Sequence, residues 1–255
     1  MLTNEYEPVC FSIASWAPRY IGLINRVNEL LPQLRPTKDI LRLWLNDYPD
    51  KLVEQIPVDD RINVIRAGEG CAYPNIKSHG KLYGIQDWTG YWLTGDDDIR
   101  FPPNYVVSMV SGIERHGRKA ICSYHGGFFP IDETGLINHP CPRRACERRT
   151  FEELCVEDVQ CHILGNGIMG CYPSAIGLTY TPPTNCLEGD DENIAVWAQQ
   201  NEVPLIRLAH RARWCRSETI TAGTGALCMN DSHVICVNKQ IKAWRHWHLP
   251  TIQKG

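Results

Sequence analysis

The 255-residue chain has no apolar run long enough to cross a bilayer, so no membrane-spanning helix is expected. Its first residues, MLTNEYEPVCF, lack the basic and then apolar order of an export leader. A cytoplasmic protein is therefore expected, in the host cytoplasm if the chain is phage-encoded. There is no surplus of positive charge: the formal net charge is −3, and any nucleic-acid surface has to be a local patch. No internal repeat or low-complexity segment occurs. The twelve cysteines include no C-x2-C pair, which counts against the common zinc modules. With no leader and a chain this long, most of them are expected to be buried thiols rather than a disulfide framework.

What is present is ordinary for a globular protein: 43% hydrophobic and 22% charged residues. The length suits one large α/β domain or two small ones. Val9 to Ala14 is a short apolar run of strand type. Pro18 then sits where a first helical turn accepts it. Ile21, Ile24, Val27 and Leu31 follow at helical spacing, and Pro32 and Pro36 end that helix. In Ile40 to Leu45, Leu41, Leu43 and Leu45 alternate with Arg42 and Trp44, a second strand. Further strands are expected at Ile62 to Ile65, Tyr91 to Thr94, Lys119 to Tyr124, Val159 to Leu164 and Leu205 to Leu208. One helix opens at Pro102 and Pro103, with Val106, Val107, Val110 and Ile113 on one side. Another runs from about Asp191 to Asn201. Alternating strands and helices predict an α/β fold with a mostly parallel central sheet and helices on both faces. Ligands of such sheets bind outside the carboxyl ends of the strands.

The strongest local feature lies at such an end. In YWLTGDDDIRFPPNY, residues 91–105, an apolar strand runs into Asp96, Asp97 and Asp98. Three adjacent carboxylates repel one another and call for a counter-charge. A Mg²⁺ or Mn²⁺ ion with oxygen ligands supplies one and would also neutralise a diphosphate leaving group. Alternate positions let Asp96 and Asp98 face the same ion, while Asp97 turns elsewhere, toward the donor. A solvated acidic turn is the bland alternative.

The segment GYWLTGDDDIRFPPNYV resembles the strand and triple-aspartate segment of family 2-type bacterial glycosyltransferases, which have the GT-A fold. FSIASWAPRYIGLINRVNELLPQ, residues 11–33, resembles their first strand and helix. HILGNGIMGCY, residues 162–172, resembles their G-x-G turn. LEGDDENIAVWAQQNEVPLIRLAHRARW, residues 187–214, resembles their block of an acidic helix start followed by a Pro-led strand. Together these cover about residues 9–214. The resemblance implies a metal-dependent transferase that moves a sugar from a nucleoside-diphosphate donor, most often UDP-linked, with inversion. It divides the single domain, 1–255, into a nucleotide-sugar half, about 9–118, and an acceptor half, about 119–255. Ser15, Arg19 and Asn46, after the first two strands, would meet the nucleotide. Lys81, in SHGKLYGI, either approaches the diphosphate or is a solvated surface lysine. Asp191 matches the catalytic base, with Asp190 or Glu192 as neighbouring registers; the alternative is that these acids only cap a helix. His210 is a candidate third metal ligand beside Asp96 and Asp98. Gly165 and Gly167 would border the acceptor. A nucleotidyltransferase is a rival class, but ASWAPRY lacks the glycine-rich phosphate loop that class uses.

Two stretches break the rhythm. Residues 125–158 form a long irregular insert rich in Cys, Arg and Pro, and long ordered loops are usually functional. Cys141, Cys146, Cys155 and Cys161 either hold a structural Zn²⁺ or are plain thiols. Arg143 and Arg144, with Trp244 and Trp247 in the tail KQIKAWRHWH, interleave basic and aromatic groups as an acceptor surface would. That pattern favours a 5-hydroxymethylpyrimidine base in DNA as acceptor, exposed from its stack, with a bacterial surface glycan as the alternative.

Overall fold

The computed structural model describes residues 6–137, 139–183, 189–218, 231–244 and 246–250, the side chains of 231–233 excepted. The strands, in chain order, are β1 Val9–Trp16, β2 Ile40–Asn46, β3 Ile62–Ala67, β4 Tyr91–Gly95, β5 Ile99–Arg100, β6 Ile121–Ser123, β7 Gly126–Phe128, β8 Glu147–Arg149, β9 Val159–Cys161, β10 Ile163–Leu164, β11 Met169–Cys171, β12 Leu205–Arg207 and β13 Arg216–Ser217. The helices are α1 Tyr20–Leu30, α2 Asp50–Val53, α3 Tyr105–Arg115, α4 Pro142–Ala145, α5 Pro173–Ile176, α6 Asp190–Gln200 and α7 Asp231–Ala243. Among the described residues no helix is long and apolar enough to cross a membrane.

Eight strands form one sheet in the order β3-β2-β1-β4-β11-β6-β12-β9. The pairs β3–β2, β2–β1, β1–β4 and β6–β12 are parallel. The mostly parallel α/β sheet is as expected. It holds two antiparallel departures, β11 between β4 and β6, and β9 at the edge. Residues 159–164 are not one strand. The chain bends at His162, whose Nδ1 accepts the Phe129 amide at 3.1 Å, so β9 joins the main sheet and β10 the small one. The insert is not irregular throughout: β7 and β8 pair with β10 in a three-stranded antiparallel sheet.

Strand alternation sorts the core into two layers. Val9, Phe11, Ile13, Leu41, Leu43, Leu45 and Leu93 pack with α1 and α3. Cys10, Trp92, Ile121, Met169, Cys171 and Leu205 pack with α6 and the end of α7. Central strands are covered on both faces, which is why β1 is apolar almost without interruption. Two helix faces are rotated from the expected ones. In α1, Leu23, Val27 and Leu30 are buried while Ile21 is 67% exposed. In α3, Met109 takes the inward place expected for Val107, which is exposed.

Cys141, Cys146, Cys155 and Cys161 do not gather around a metal. Cys146 Sγ lies where a side chain on Gly127 would be and Cys161 Sγ where one on Gly126 would be, so the two thiols face opposite sides of β7. Cys155 bonds the Glu157 carbonyl, and Cys141 Sγ accepts from Asn238. Among the described residues no group of three His, Cys, Asp or Glu side chains is placed to hold a metal ion. Nine described cysteines are free thiols, most of them buried, as expected; Cys236 departs from that reading in being disulfide-bonded.

Candidate functional site

The carboxyl ends of β1, β2, β4, β6 and β12 lie along one edge of the sheet. There the chain delivers Ser15, Asn46, Asp96 to Asp98, His125 and Arg207. The wall at the ends of β1 and β2 is closely hydrogen-bonded. Ser15 Oγ donates to Asp97 Oδ2 at 2.6 Å and meets the Tyr48 hydroxyl at 2.7 Å. Arg19 Nη1 joins Asp97 Oδ1 at 2.9 Å and Asp98 Oδ2 at 3.0 Å. Asn46 Nδ2 donates to the carbonyls of Ser15 and Lys77, and its Oδ1 accepts from Trp44. Asp97 is only 2% exposed, and burial pushes its carboxyl up to about 6 against the pull of Arg19 and Ser15. Both its oxygens are engaged within the protein. Asp97, with Ser15 and Asn46, is engaged in bracing the loop at the ends of β1, β2 and β4.

Asp96 and Asp98 are the open pair. Burial and then the neighbouring Asp96 carboxylate raise the Asp98 pKa, with Arg19 and Lys81 opposing. Residual repulsion between two oxygen donors two positions apart is the chemistry a hard divalent ion relieves. Such ions commonly take only one or two carboxylates, with substrate phosphates completing the shell. His210 does not join them. Its Nδ1–H donates to the Leu208 carbonyl at 2.7 Å, its ring packs edge-on against Tyr124, and its backbone bridges Cys155. It is a core histidine.

The second acidic cluster meets the first. The turn Gly165 to Gly167 touches both: the Asp96 amide donates to the Gly167 carbonyl at 3.0 Å, and the Asn166 amide donates to Asp191 Oδ1 at 2.8 Å. Gly167 leaves room for the Asp96 carboxylate: a Cβ there would stand 2.2 Å from Asp96 Oδ2, and the carboxylate would have to move. Thr94 Oγ1 ties the same turn to β4 through the Asn166 carbonyl. Asn166 itself is fully buried, with both side-chain polar atoms unpartnered. Gly165 packs against His125, which burial and then Arg148, Arg143 and Arg207 hold neutral, its pKa lowered to about 4.

Lys81 is not a surface lysine. Its Nζ lies 2.5 Å from Asp96 Oδ1 and 3.2 Å from Asp190 Oδ2, and its side chain is 4% exposed. Burial works against its charge, but Asp190 and Asp96 outweigh it and raise the lysine pKa. In return, and against its own burial, Asp190 is held well below the usual carboxylate range by Lys81, with Ser78 Oγ donating at 2.8 Å. Asp191 is the acid of this cluster left accessible, its side chain 26% exposed. Burial and then Asp190 raise its pKa, against Arg143 and the Asn166 amide. Glu192 is fully buried and pushed up to about 7, chiefly by burial, although Arg143 Nη1 pairs with it at 2.8 Å.

Three expected acceptor groups are elsewhere. Trp247 is fully buried against Phe129 and His162, its Nε1 donating to the Ile241 carbonyl, and Trp244 packs on the same core. Trp247 is not a stacking platform, because the tail closes the small sheet with it, and Trp244 is half-buried. Arg143 turns inward to α6, while Arg144 is exposed. One buried cation gave no signal in the sequence: Arg26, fully buried on α1, pairs with Glu29 and Glu218 and donates to the Asp97 carbonyl. The Glu218 amide donates to the Asp98 carbonyl at 2.7 Å, and β13 pairs with β5, so the segment 216–218 lies over the aspartates.

No known family pattern matches the sequence, and no curated protein matches it. Among solved structures, the chain is similar to the mannosyltransferase PcManGT from Pyrobaculum calidifontis in complex with GDP-Man and Mn²⁺. The TM-score is 0.57 at 11% identity, over 95% of this chain and 66% of that one. An active-site mutant of LgtC has a TM-score of 0.39 at 8% identity, over 66% of this chain and 57% of that one, a likeness too slight to carry an argument. The chain thus spans less than two thirds of the length of either neighbour. The fold is what the mannosyltransferase shares with it.

Proposed function

We propose that this chain transfers a sugar from a nucleoside-diphosphate donor to an acceptor hydroxyl. The observation that carries the reading is the meeting of two acidic clusters at the carboxyl edge, joined by one glycine turn and one buried lysine. Asp96 and Asp98 would hold a divalent ion, Mn²⁺ or Mg²⁺, which supplies charge to the departing diphosphate. Arg19 steadies Asp98, and Asp97 with Ser15 and Asn46 fixes the loop beneath. The nucleotide is UDP by the sequence resemblance, while the structural neighbour was solved with GDP-Man. Asp191, accessible and with its proton affinity raised, would take the acceptor proton as the oxygen attacks, and direct displacement would invert the anomeric carbon. Asp190 is unsuited to that role, because Lys81 and Ser78 hold it ionised and engaged.

For the acceptor, support for DNA rests on the outward arginines of the insert, Arg144 and Arg148, now that Trp247 is buried and Trp244 half-buried against the core. They favour a polyanion, a DNA hydroxymethylpyrimidine, over a neutral surface glycan. The test is incubation with UDP- and GDP-sugars and Mn²⁺, reading nucleotide release with and without hydroxymethylated DNA. Release that DNA does not stimulate, with no gel shift at low salt, removes the DNA acceptor. Asp191→Asn should abolish transfer and leave donor binding intact, and full activity in it removes the base assignment.

A further inference from the structure

Arg143 sits on α4 of the insert, far in sequence from α6, yet it reaches the start of that helix. Its Nη1 lies 2.8 Å from Glu192 Oε1 and its Nη2 3.8 Å from Asp191 Oδ2. Its backbone is fastened from behind: the Arg143 amide donates to Asn238 Oδ1 at 2.9 Å, Asn238 Nδ2 donates to Cys141 Sγ, and Lys242 Nζ donates to the Pro140 carbonyl. Helix α7 thus holds α4, and α4 aims the arginine.

The Asp191 carboxylate is flanked on two sides. Oδ1 accepts the Asn166 amide at 2.8 Å, and Oδ2 faces the guanidinium at 3.8 Å, outside hydrogen-bond reach. Glu192 takes the close contact with Arg143. The guanidinium is tethered where its charge orients Asp191 but does not cap the oxygen that would receive a proton. We propose that Arg143 is a positioning residue for Asp191: anchored by Glu192 and α7, it holds Oδ2 open toward the acceptor and makes the insert part of the transfer machinery.

This inference rests on Asp191 being the base. The charged and titratable groups around Asp191 are Asp190 and Glu192 on its own helix, Lys81 from the segment 77–82, Arg143 from the insert, and the Tyr180 hydroxyl after α5. Of these, Arg143 and Lys81 are the cations, and Lys81 is committed to Asp96 and Asp190.

The experiment is the pH dependence of kcat in three variants, with donor KM and thermal unfolding alongside. Arg143→Met alone would strand Glu192 in the core, so it is combined with Glu192→Gln, removing both charges together. In that double variant kcat should fall about tenfold or more, from loss of alignment. Its acid limb should move up by about one pH unit, from loss of the nearby cation, with donor KM little changed. Glu192→Gln alone should move the limb the opposite way, because the released arginine closes on Asp191. Arg143→Lys keeps the charge but loses the fork; its limb should stay near the wild-type position at reduced kcat. An acid limb unmoved in both the double variant and Glu192→Gln overturns the proposal, whatever happens to stability. Asp191→Asn in the same assay separates the premises. If it is inactive while the limb is unmoved in those variants, only the role of Arg143 falls; if it is active, the base reading falls first.

Discussion

Lys81→Met tests the electrostatic frame of the site. Lys81 is 4% exposed and holds two partners of different kinds: Asp96, 38% exposed, and Asp190, 13% exposed. The half-exposed partner is screened, and its share is about 0–1 kcal/mol. The buried one dominates, because removing one member of a buried pair leaves an uncompensated charge at a cost of about 3–5 kcal/mol. Ser78 Oγ remains on Asp190 and offsets only part of it. A loss near 4 kcal/mol corresponds to a Tm drop of about 8–16 °C for a chain of this size. The pH dependence fixes the cause. In the wild type the Asp190 pKa is depressed, so its contribution is complete above the unfolded carboxylate pKa of about 4 and flat from pH 5 to 8. In the variant burial is opposed only by His79 and the Ser78 hydroxyl, and it raises that pKa above the unfolded value. Asp190 then binds a proton that the unfolded chain does not, and stability is regained as pH falls. Urea unfolding at pH 8 and pH 5 should show the deficit narrowing toward acid. A deficit below about 1 kcal/mol, or one equal at both pH values, would refute a buried lysine pairing two clusters.

Gly167→Ala places a Cβ 2.2 Å from Asp96 Oδ2. It should cost about 1–3 kcal/mol in stability and weaken metal-dependent nucleotide binding, read by calorimetry; wild-type affinity would argue against Asp96 as a ligand. Asp98→Ala should lose the difference in UDP binding between Mn²⁺ and EDTA, whereas a retained difference places the ion elsewhere. Trp247→Ala removes a fully buried ring and should cost about 3–5 kcal/mol by chemical denaturation. It should not selectively weaken DNA binding, as loss of a stacking platform would.

Much of the frame was legible because it is local. The leucine alternation in β2 and the apolar run of β1 show their sheet faces within seven or eight residues. The aspartates at the end of β4 and the acidic start of α6 sit where topology puts ligands, and the glycine turn that joins them was visible as glycines. Lys81 was not legible, because a lysine among His, Gly and Tyr looks solvated until two carboxylates from distant parts of the chain, Asp96 and Asp190, converge on it. Arg26 and Glu218 pair across 192 positions, which no spacing rule reports. Strand β11 has three residues, too few for a period, and its antiparallel entry is imposed by the turn before it. The tail tryptophans combined basic and aromatic residues as a binding surface would, but the small sheet had an open apolar face, and burying Trp247 satisfies it.

The site holds more acid than its cations can neutralise. Asp96, Asp97, Asp98, Asp190, Asp191 and Glu192 face Arg19, Lys81 and Arg143. Each cation is shared: Arg19 between Asp97 and Asp98, Lys81 between Asp96 and Asp190, Arg143 between Asp191 and Glu192. Burial first, and neighbouring carboxylates after it, raise the proton affinity of Asp97, Asp98, Asp191 and Glu192. A fold that needed only stability would shed such charge, since apolar substitutes cost less than buried acids. Its retention at the carboxyl edge, beside a turn whose glycine leaves room for a carboxylate, favours a site built to receive positive charge at one end and a proton at the other. Lys81 lies between those two ends, so a change in charge at Asp96 is felt at Asp190, next to Asp191, the proposed base. Under the proposed reading, donor binding and acceptor activation would then be electrostatically coupled through the Lys81 ammonium group.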